Sequence, residues 1–362
     1  MAHKSGLLKI VTFVLIGLFL FSCSAKMRMH ETAITYRMYP PPQAKAKIQY
    51  LTSFSSSKDI IKEQSLFVRY VTGEAENKPI IKPYGIAVQN DRIYICDTML
   101  PGLEIIDLAI QTFDYFVPEG DGVLKKPVNC ALDMSVQLYI ADTERQQVLI
   151  FDATGKYKTA IGDGQSIKPT DVTVYDNKIW VCDLQNHQIQ VYTIESQSPV
   201  FSFPDQNKNA PGYLFSPTNL CIEGNKVYVT DTGDSKVKIY DLQGNYLSSI
   251  GSFGQNAGQF VRPKGVAVDK SGNVFVVDAA FENIQVFDDE GNLLTWFGGS
   301  YKSKGDMYLP ANVLISYDRM DYFEKFLAPG YNLDYLIFVT NQYGPDRVNV
   351  YGFINRKTET VN

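Results

Sequence analysis

The sequence predicts an all-β protein, a six-bladed β-propeller whose ring is closed by an N-terminal strand. One phrase, Pro-x-[Gly/Asn/Asp], recurs at Pro83, Pro127, Pro169, Pro217, Pro263 and Pro310, at intervals of 42 to 48 residues. In the first five copies an Asp follows 14 or 15 residues later, at Asp97, Asp142, Asp183, Asp231 and Asp278. Short β-branched and aromatic runs, cut by Gly, Asn and Asp clusters, surround these marks, which is the pattern of strands and hairpins. A four-strand unit of this length cannot bury both of its faces alone, so such repeats stack into propellers.

The chain opens on a segment expected to stand apart from the ring. Lys4 and Lys9 precede the apolar run Ile10–Phe21, the pattern of a secretory signal peptide over residues 1–22. Those twelve residues fall short of the roughly 20 that a membrane-spanning helix needs. The run ends in Leu20-Phe21-Ser22-Cys23, which resembles a bacterial lipobox, although Phe21 is bulky for its place. That resemblance implies cleavage before Cys23 and acylation of its thiol with palmitate-type chains, making a lipoprotein. Ser24 after it implies sorting to the outer rather than the inner membrane of the cell envelope. Several acyl chains anchor firmly where one holds only marginally. Residues 23–46, mixed in charge and carrying Pro40-Pro41-Pro42, are expected to form a stiff, extended tether.

The propeller is expected over residues 47–354, followed by a polar tail, 355–362. Lys47–Phe54 reads as a strand with no local partner. Lys58–Val71 has the apolar spacing of a helix, capped by Ser57 and stopped by Gly73. The clearest copy runs from Arg262 to Phe297, with runs at Val266–Val268, Val274–Val277, Ile284–Phe287 and Leu293–Phe297. The sixth copy departs from the rest. Tyr317–Asp334 is inserted after its first strand, with Met320, Phe323 and Leu327 spaced for a short amphipathic helix stopped at Pro329-Gly330. Asn341 takes the place of the Asp, and no fourth strand follows Arg347–Phe353. Lys47–Phe54 is therefore expected to complete the sixth blade, leaving no blade with an open edge.

The phrases Pro-x-Gly-Val-Ala-Val-Asp (263–269), Val-Phe-Val-Val-Asp (274–278) and Asn-Ile-Gln-Val-Phe-Asp (283–288) resemble NHL repeats, as does Asp183–Tyr192 around Asn186-His187-Gln188. The resemblance implies a six-bladed ring that commonly serves as a binding platform and only sometimes as an enzyme. NHL-type zinc lyases use several axial histidines, whereas the ring here holds only His187. No GxSxG accompanies that histidine, so a Ser-His-Asp triad is not supported. Sugar-acid lactonases and paraoxonase-like propellers bind a divalent cation through axial Asn and carboxylate groups. Asn129, Asp171, Asn219 and Asn312 are similar in type, although Gly85 stands where an axial Glu would be expected.

The residue opening each first strand (Gly85, Asn129, Asp171, Asn219, Gly265 and Asn312) is expected to converge on one mouth of a central channel. Oxygen ligands of that kind suit Ca²⁺ or Mg²⁺. The plainer reading, and the one preferred, is that these residues cap the turn entering each strand and line a water-filled channel. The five repeated Asp residues read as turn anchors that accept backbone N–H groups. Cys96, Cys130, Cys182 and Cys221 occupy positions that are apolar in other copies and read as buried thiols. An oxidising envelope would also permit a Cys96–Cys130 bridge.

The chain of 362 residues is 45% hydrophobic with a formal charge of −5, and an acidic, exported protein is not expected to bind nucleic acid. Function is expected in the loops around the mouth, where Arg145, Asn186, His187, Lys236, Phe281, Tyr343 and Arg347 offer a surface for an envelope protein or glycan. The reading is a lipid-anchored binding or assembly module. Its alternative is a Ca²⁺- or Mg²⁺-dependent, lactonase-like hydrolase using the axial Asn/Asp set.

Overall fold

The structure, a computed structural model, describes residues 36–40, 46–61, 70 and 76–357. The expected signal peptide, Cys23, most of the tether, most of the Lys58–Val71 helix and the last five residues lie outside that range.

Six antiparallel sheets make the ring. Blade 1 consists of Pro83–Gln89, Arg92–Asp97, Gly102–Asp107 and Thr112–Phe116. Blade 2 is Pro127–Leu132, Leu138–Asp142, Gln147–Phe151 and Tyr157–Ile161; blade 3 is Pro169–Tyr175, Lys178–Asp183, Gln188–Thr193 and Pro199–Phe203. Blade 4 is Pro217–Glu223, Lys226–Asp231, Lys236–Asp241 and Tyr246–Ile250; blade 5 is Pro263–Val268, Val274–Asp278, Asn283–Phe287 and Leu293–Gly298. The six first strands touch one another in a closed cycle and so surround the axis. Between each pair of neighbouring blades lies one apolar cluster, contributed by the facing sides of both sheets.

Blade 6 is closed from both ends of the chain, as the missing fourth strand requires. Pro310–Ser316, Tyr331–Asn341 and Val348–Arg356 are followed on the rim by Ile48–Phe54, with Ile48 opposite Phe353 and Phe54 opposite Val348. Ile48, Leu51 and Phe54 are buried, each contributing about 1.5–3 kcal/mol of apolar burial. A fifth strand, Met38–Tyr39, adds outside it, so part of the expected tether is docked on the ring. The physical reason is that this stretch is not uniformly polar. Met38 packs on Ala328, Tyr331 and Ile354, and Tyr39 lies among Phe297 and Tyr351 with its hydroxyl on the Gly305 carbonyl at 2.9 Å. Arg37 pairs with Asp306.

The insertion of blade 6 is shorter than expected, because its second strand begins at Tyr331. It holds one helical turn, Met320–Phe323, continued as a 3-10 turn over Glu324–Phe326. Phe323 is buried against the cluster shared by blades 6 and 1. The buried side chain of Gln49 clamps the insertion, donating to the Phe326 carbonyl at 2.8 Å and accepting from the Ala328 amide at 3.0 Å. The third strand runs to Arg356, into the stretch expected as polar tail. At Ser57–Asp59 the described part of the expected helix is a 3-10 turn, preceded by Ser56, whose amide donates to Asp59 at 3.0 Å.

Candidate functional site

One face of the ring carries the connections from each fourth strand to the next first strand. An apolar side chain just ahead of each repeat proline plugs the seam between blades: Ile80, Leu124, Ile167, Leu214, Phe260 and Met307, all at most 3% exposed. The repeated Asp then fixes the chain entering the strand. Asp97 accepts the amides of Ile81, Lys82 and Met99; Asp142, Asp183, Asp231 and Asp278 bind the equivalent amides of their blades. In blade 6 Asn341 takes over, accepting the Tyr308 amide at 3.2 Å. These carboxylates are structural anchors, as their spacing implies. Beyond the proline, the pairing of first and second strands slips in every blade, a bulge that frees the residue after the proline from the regular alternation.

The axial set converges, in two pairs. Asn312 approaches Asn129, Nδ2 to Oδ1 at 3.5 Å, and Asn219 Nδ2 approaches Asp171 Oδ2 at the same 3.5 Å. Gly85 makes the first pair possible, since a Cβ there would lie 2.2 Å from Asn129 Oδ1. The oxygens are largely engaged by backbone amides. Asn129 Oδ1 accepts from Cys130, Asn312 Oδ1 from Val313, and the two Asp171 oxygens from Val172 and Leu220. Burial pushes the Asp171 carboxyl up to about 7 against the help of those amides and Asn219. Asn219 Oδ1 alone is buried without a partner. A donor set with one carboxylate, whose oxygens and most of the amide oxygens already accept N–H groups, fits a divalent cation poorly. Among the described residues no three His, Cys, Asp or Glu groups cluster for a metal.

A cavity of about 370 Å³ follows the axis from Asn129, Asp171 and Asn312 past Val172 and Leu314 to Gln89 and Glu223. Tyr84 and Lys264, which sit in the bulges just ahead of the axial set, do not line it. Tyr84 lies near Asp171 and Cys182 of blade 3; burial first, then Asp171, raises its phenol.

The loop residues expected to meet a partner fall into two groups. Arg145 donates to the carbonyls of Asp121 and Val123 and to Gln147, holding the Gly120–Gly122 turn. Asn186 binds Ser166 O and Asp183, Arg347 binds Gln342 O, and Lys236 pairs with Asp234 at 3.1 Å. His187 is the left-handed residue of its turn, at φ 57°, with Nδ1 2.8 Å from the Phe215 carbonyl. Gln146, Ser235 and Glu282 hold the same slot at similar φ in blades 2, 4 and 5, so the slot belongs to the turn rather than to imidazole chemistry. Phe281 and Tyr343 are free of such roles. Phe281 lines a shallow hollow of about 170 Å³ with Asn256 and Trp296, and Tyr343 stands exposed beside Tyr308.

Cys96, Cys130 and Cys182 are buried, Cys221 is half-buried, and all four thiols are free. Cys96 lies against Cys130 across blades 1 and 2, and burial raises the Cys96 thiol well above its ordinary value.

The sequence reading missed the residue immediately before each proline. It is cationic in four blades, at Lys82, Lys126, Lys168 and Arg262, and Lys264 follows the fifth proline. Aligning that column would have exposed the pattern.

A family model described as a 6-bladed beta-propeller matches residues 213–351. The chain is a six-bladed β-propeller. Its fold is similar to that of a gluconolactonase from Xanthomonas campestris, at 15% identity over 88% of this chain and 94% of that one, TM-score 0.56. A Bacteroides thetaiotaomicron protein of unknown function is similar at 16% identity over 85% and 76%, TM-score 0.57. Virginiamycin B lyase from Staphylococcus aureus is similar at 14% identity over 75% and 94%, TM-score 0.51. At such identities the likeness is one of fold alone. No curated protein matches the chain in sequence.

Proposed function

We propose that this chain is an NHL-type propeller lipoprotein of the bacterial envelope, anchored through Cys23, that binds a ligand or assembly partner on its loop face. The carrying observation is the rim of that face, where large apolar side chains stand in water: Met99, Phe215, Phe253, Tyr308 and Tyr343 are 43–73% exposed. They ring a rigid axis whose loops are pinned by buried plugs and Asp anchors. Rigid exposed aromatics on a fixed frame bind with little ordering cost. The lipobox-like Leu20-Phe21-Ser22-Cys23 supports the anchor, with outer-membrane placement suggested by Ser24. A photo-crosslinking residue placed at Tyr343 or Phe215 in cells should capture a discrete adduct, whereas one on the outer strand at Leu247 should not. Equal labelling at both sites would sink the reading. Cys23→Ala should abolish acyl labelling, and a variant that still incorporates labelled palmitate would refute the anchor.

The hydrolase alternative has one observation on its side, the unpartnered Asn219 Oδ1 beside Asp171. It requires that Ca²⁺ or Mg²⁺ bind the axial set, which a melting experiment reads directly.

A further inference from the structure

Lys264, in the bulge after Pro263, is 7% exposed, and its Nζ reaches across to blade 1, 5.0 Å from the centroid of the Tyr84 ring. Its neighbours make its charge worse, not better. Burial first, then Arg262 and Lys82, both cationic, presses its ammonium down to about 8. Among the described residues Lys82, Arg262 and Lys264 form no ion pair. Lys82 meets only the face of Tyr343, at 5.1 Å, and Asp171 bears on Tyr84 rather than on Lys264. Elsewhere in the ring a buried lysine is fully compensated: Lys238 pairs with Asp231 and Asp234, each at 3.0 Å. Among the described residues, Lys264 has no such carboxylate.

A buried cation without a counter-charge is costly, and two further cations beside it raise that cost. The bulge after Pro263 is what aims Lys264 here. The same bulge position in blades 3 and 4 holds Thr170 and Thr218, whose hydroxyls are used within the ring. Arg262 and Lys82 both lie near enough to bear on Lys264, and among the described residues none of the three is ion-paired, in a chain with net charge −5. They focus a positive potential on the axis of an acidic protein.

We propose that the axial mouth of the loop face is an oxyanion receptor: the carboxylate or phosphate of a small molecule sits on Lys264, flanked by Arg262 and Lys82, with its body against Tyr343 and Tyr308. This names a ligand class for the binding reading above and rests on it. An oxyanion supplies the missing counter-charge and accepts charge-assisted hydrogen bonds from all three cations.

The test is calorimetric titration of the full chain with D-glucuronate, inorganic phosphate and neutral glucose at low salt, repeated on Lys264→Met and Arg262→Gln. Lys264→Met preserves the stem, and Arg262 is exposed, so both variants are expected to fold. The site predicts binding of one oxyanion and not of glucose, at least tenfold weaker in Lys264→Met and severalfold weaker in Arg262→Gln. Preference for glucuronate or phosphate tells the carboxylate from the phosphate ligand. Binding should also weaken above pH 8, as Lys264 loses its proton. Without ligand, Lys264→Met should melt no lower than the parent, because it removes a buried cation that has a ring face but no counter-charge; a merely structural lysine would give a lower melting temperature. No oxyanion binding at millimolar concentration, or binding unchanged in Lys264→Met, would overturn the receptor. Retention of the Tyr343 crosslink in Lys264→Met would then show that the broader binding reading survives it.

Discussion

Glu104 is buried beside Asp97 in blade 1, and neither of its oxygens accepts a hydrogen bond. Its counterpart in blade 3 is Gln190, whose side-chain amide donates to Asp183 at 2.6 Å. In blade 4 the counterpart is Lys238, which pairs with Asp231. Blade 1 thus places an acid where blades 3 and 4 place a donor, and burial, then the charge of Asp97, raises Glu104 to about 9.

Glu104→Gln should therefore stabilise the ring at neutral pH, since the amide can donate to Asp97 as Gln190 does to Asp183 without first taking up a proton. The folded parent holds a proton on Glu104 between pH 4.5 and about 9, where the unfolded chain has released it. Parent stability consequently falls as pH rises through that window, and by pH 7 this linkage is worth about 3 kcal/mol. Urea unfolding at pH 5 and pH 7 should show the advantage of the variant growing with pH. A constant difference would mean that Glu104 is ionised in the fold.

Asp171 gives a second, separable pH effect. Its carboxyl is raised from 3.8 to about 7, so parent stability falls as pH rises between those values. Asp171→Asn gives up one acceptor of the Leu220 amide, which costs about 1–3 kcal/mol at any pH. Relative to the parent it should still gain as pH goes from 4.5 to 7.5. Melting curves at those two pH values check the sign, and an advantage that shrinks with pH would contradict it.

Calcium or magnesium at millimolar concentration, followed by chelator, should leave the melting temperature of the ring unmoved. A cation binding only the folded state at a hundred times its dissociation constant would add about 2.7 kcal/mol. A chelator-sensitive rise that vanishes in Asn219→Ala would instead establish the axial metal and revive the hydrolase.

Truncations should separate the two N-terminal strands. Removing residues through Phe54 takes Ile48, Leu51 and Phe54 out of the core and opens an edge on Val348–Arg356, so aggregation or loss of cooperative melting is expected. Among the described residues, starting the chain at Lys47 removes the Met38–Tyr39 strand, Ala46 and the Arg37–Asp306 pair, and should lower the melting temperature by a few degrees. Equal loss in both would mean that the short outer strand, not Ile48–Phe54, holds the ring closed.

Six blades, the Asp anchors and the closing strand were legible in the sequence because each is written in local spacing. A proline, a run of alternating apolar residues and an Asp at a set distance specify a hairpin wherever it stands, and a sixth copy short of one strand names its own completion. Tyr36–Tyr39 misled because a mixed stretch reads as tether until the aromatic surface of Phe297 and Tyr351 is there to receive it. The convergence of Lys82, Arg262 and Lys264 was decided only in three dimensions, since blades 1 and 5 become near neighbours across the axis only when the ring closes. The bulges then turn Tyr84 and Lys264 out of the alternation that sequence periodicity assumes. The same closure paired Asn312 with Asn129 across Gly85, whereas Glu104 meets Asp97 through the strand pairing of blade 1 itself. Spacing along the chain tells which residues share a strand; which charges meet depends on distances that the closed ring alone creates.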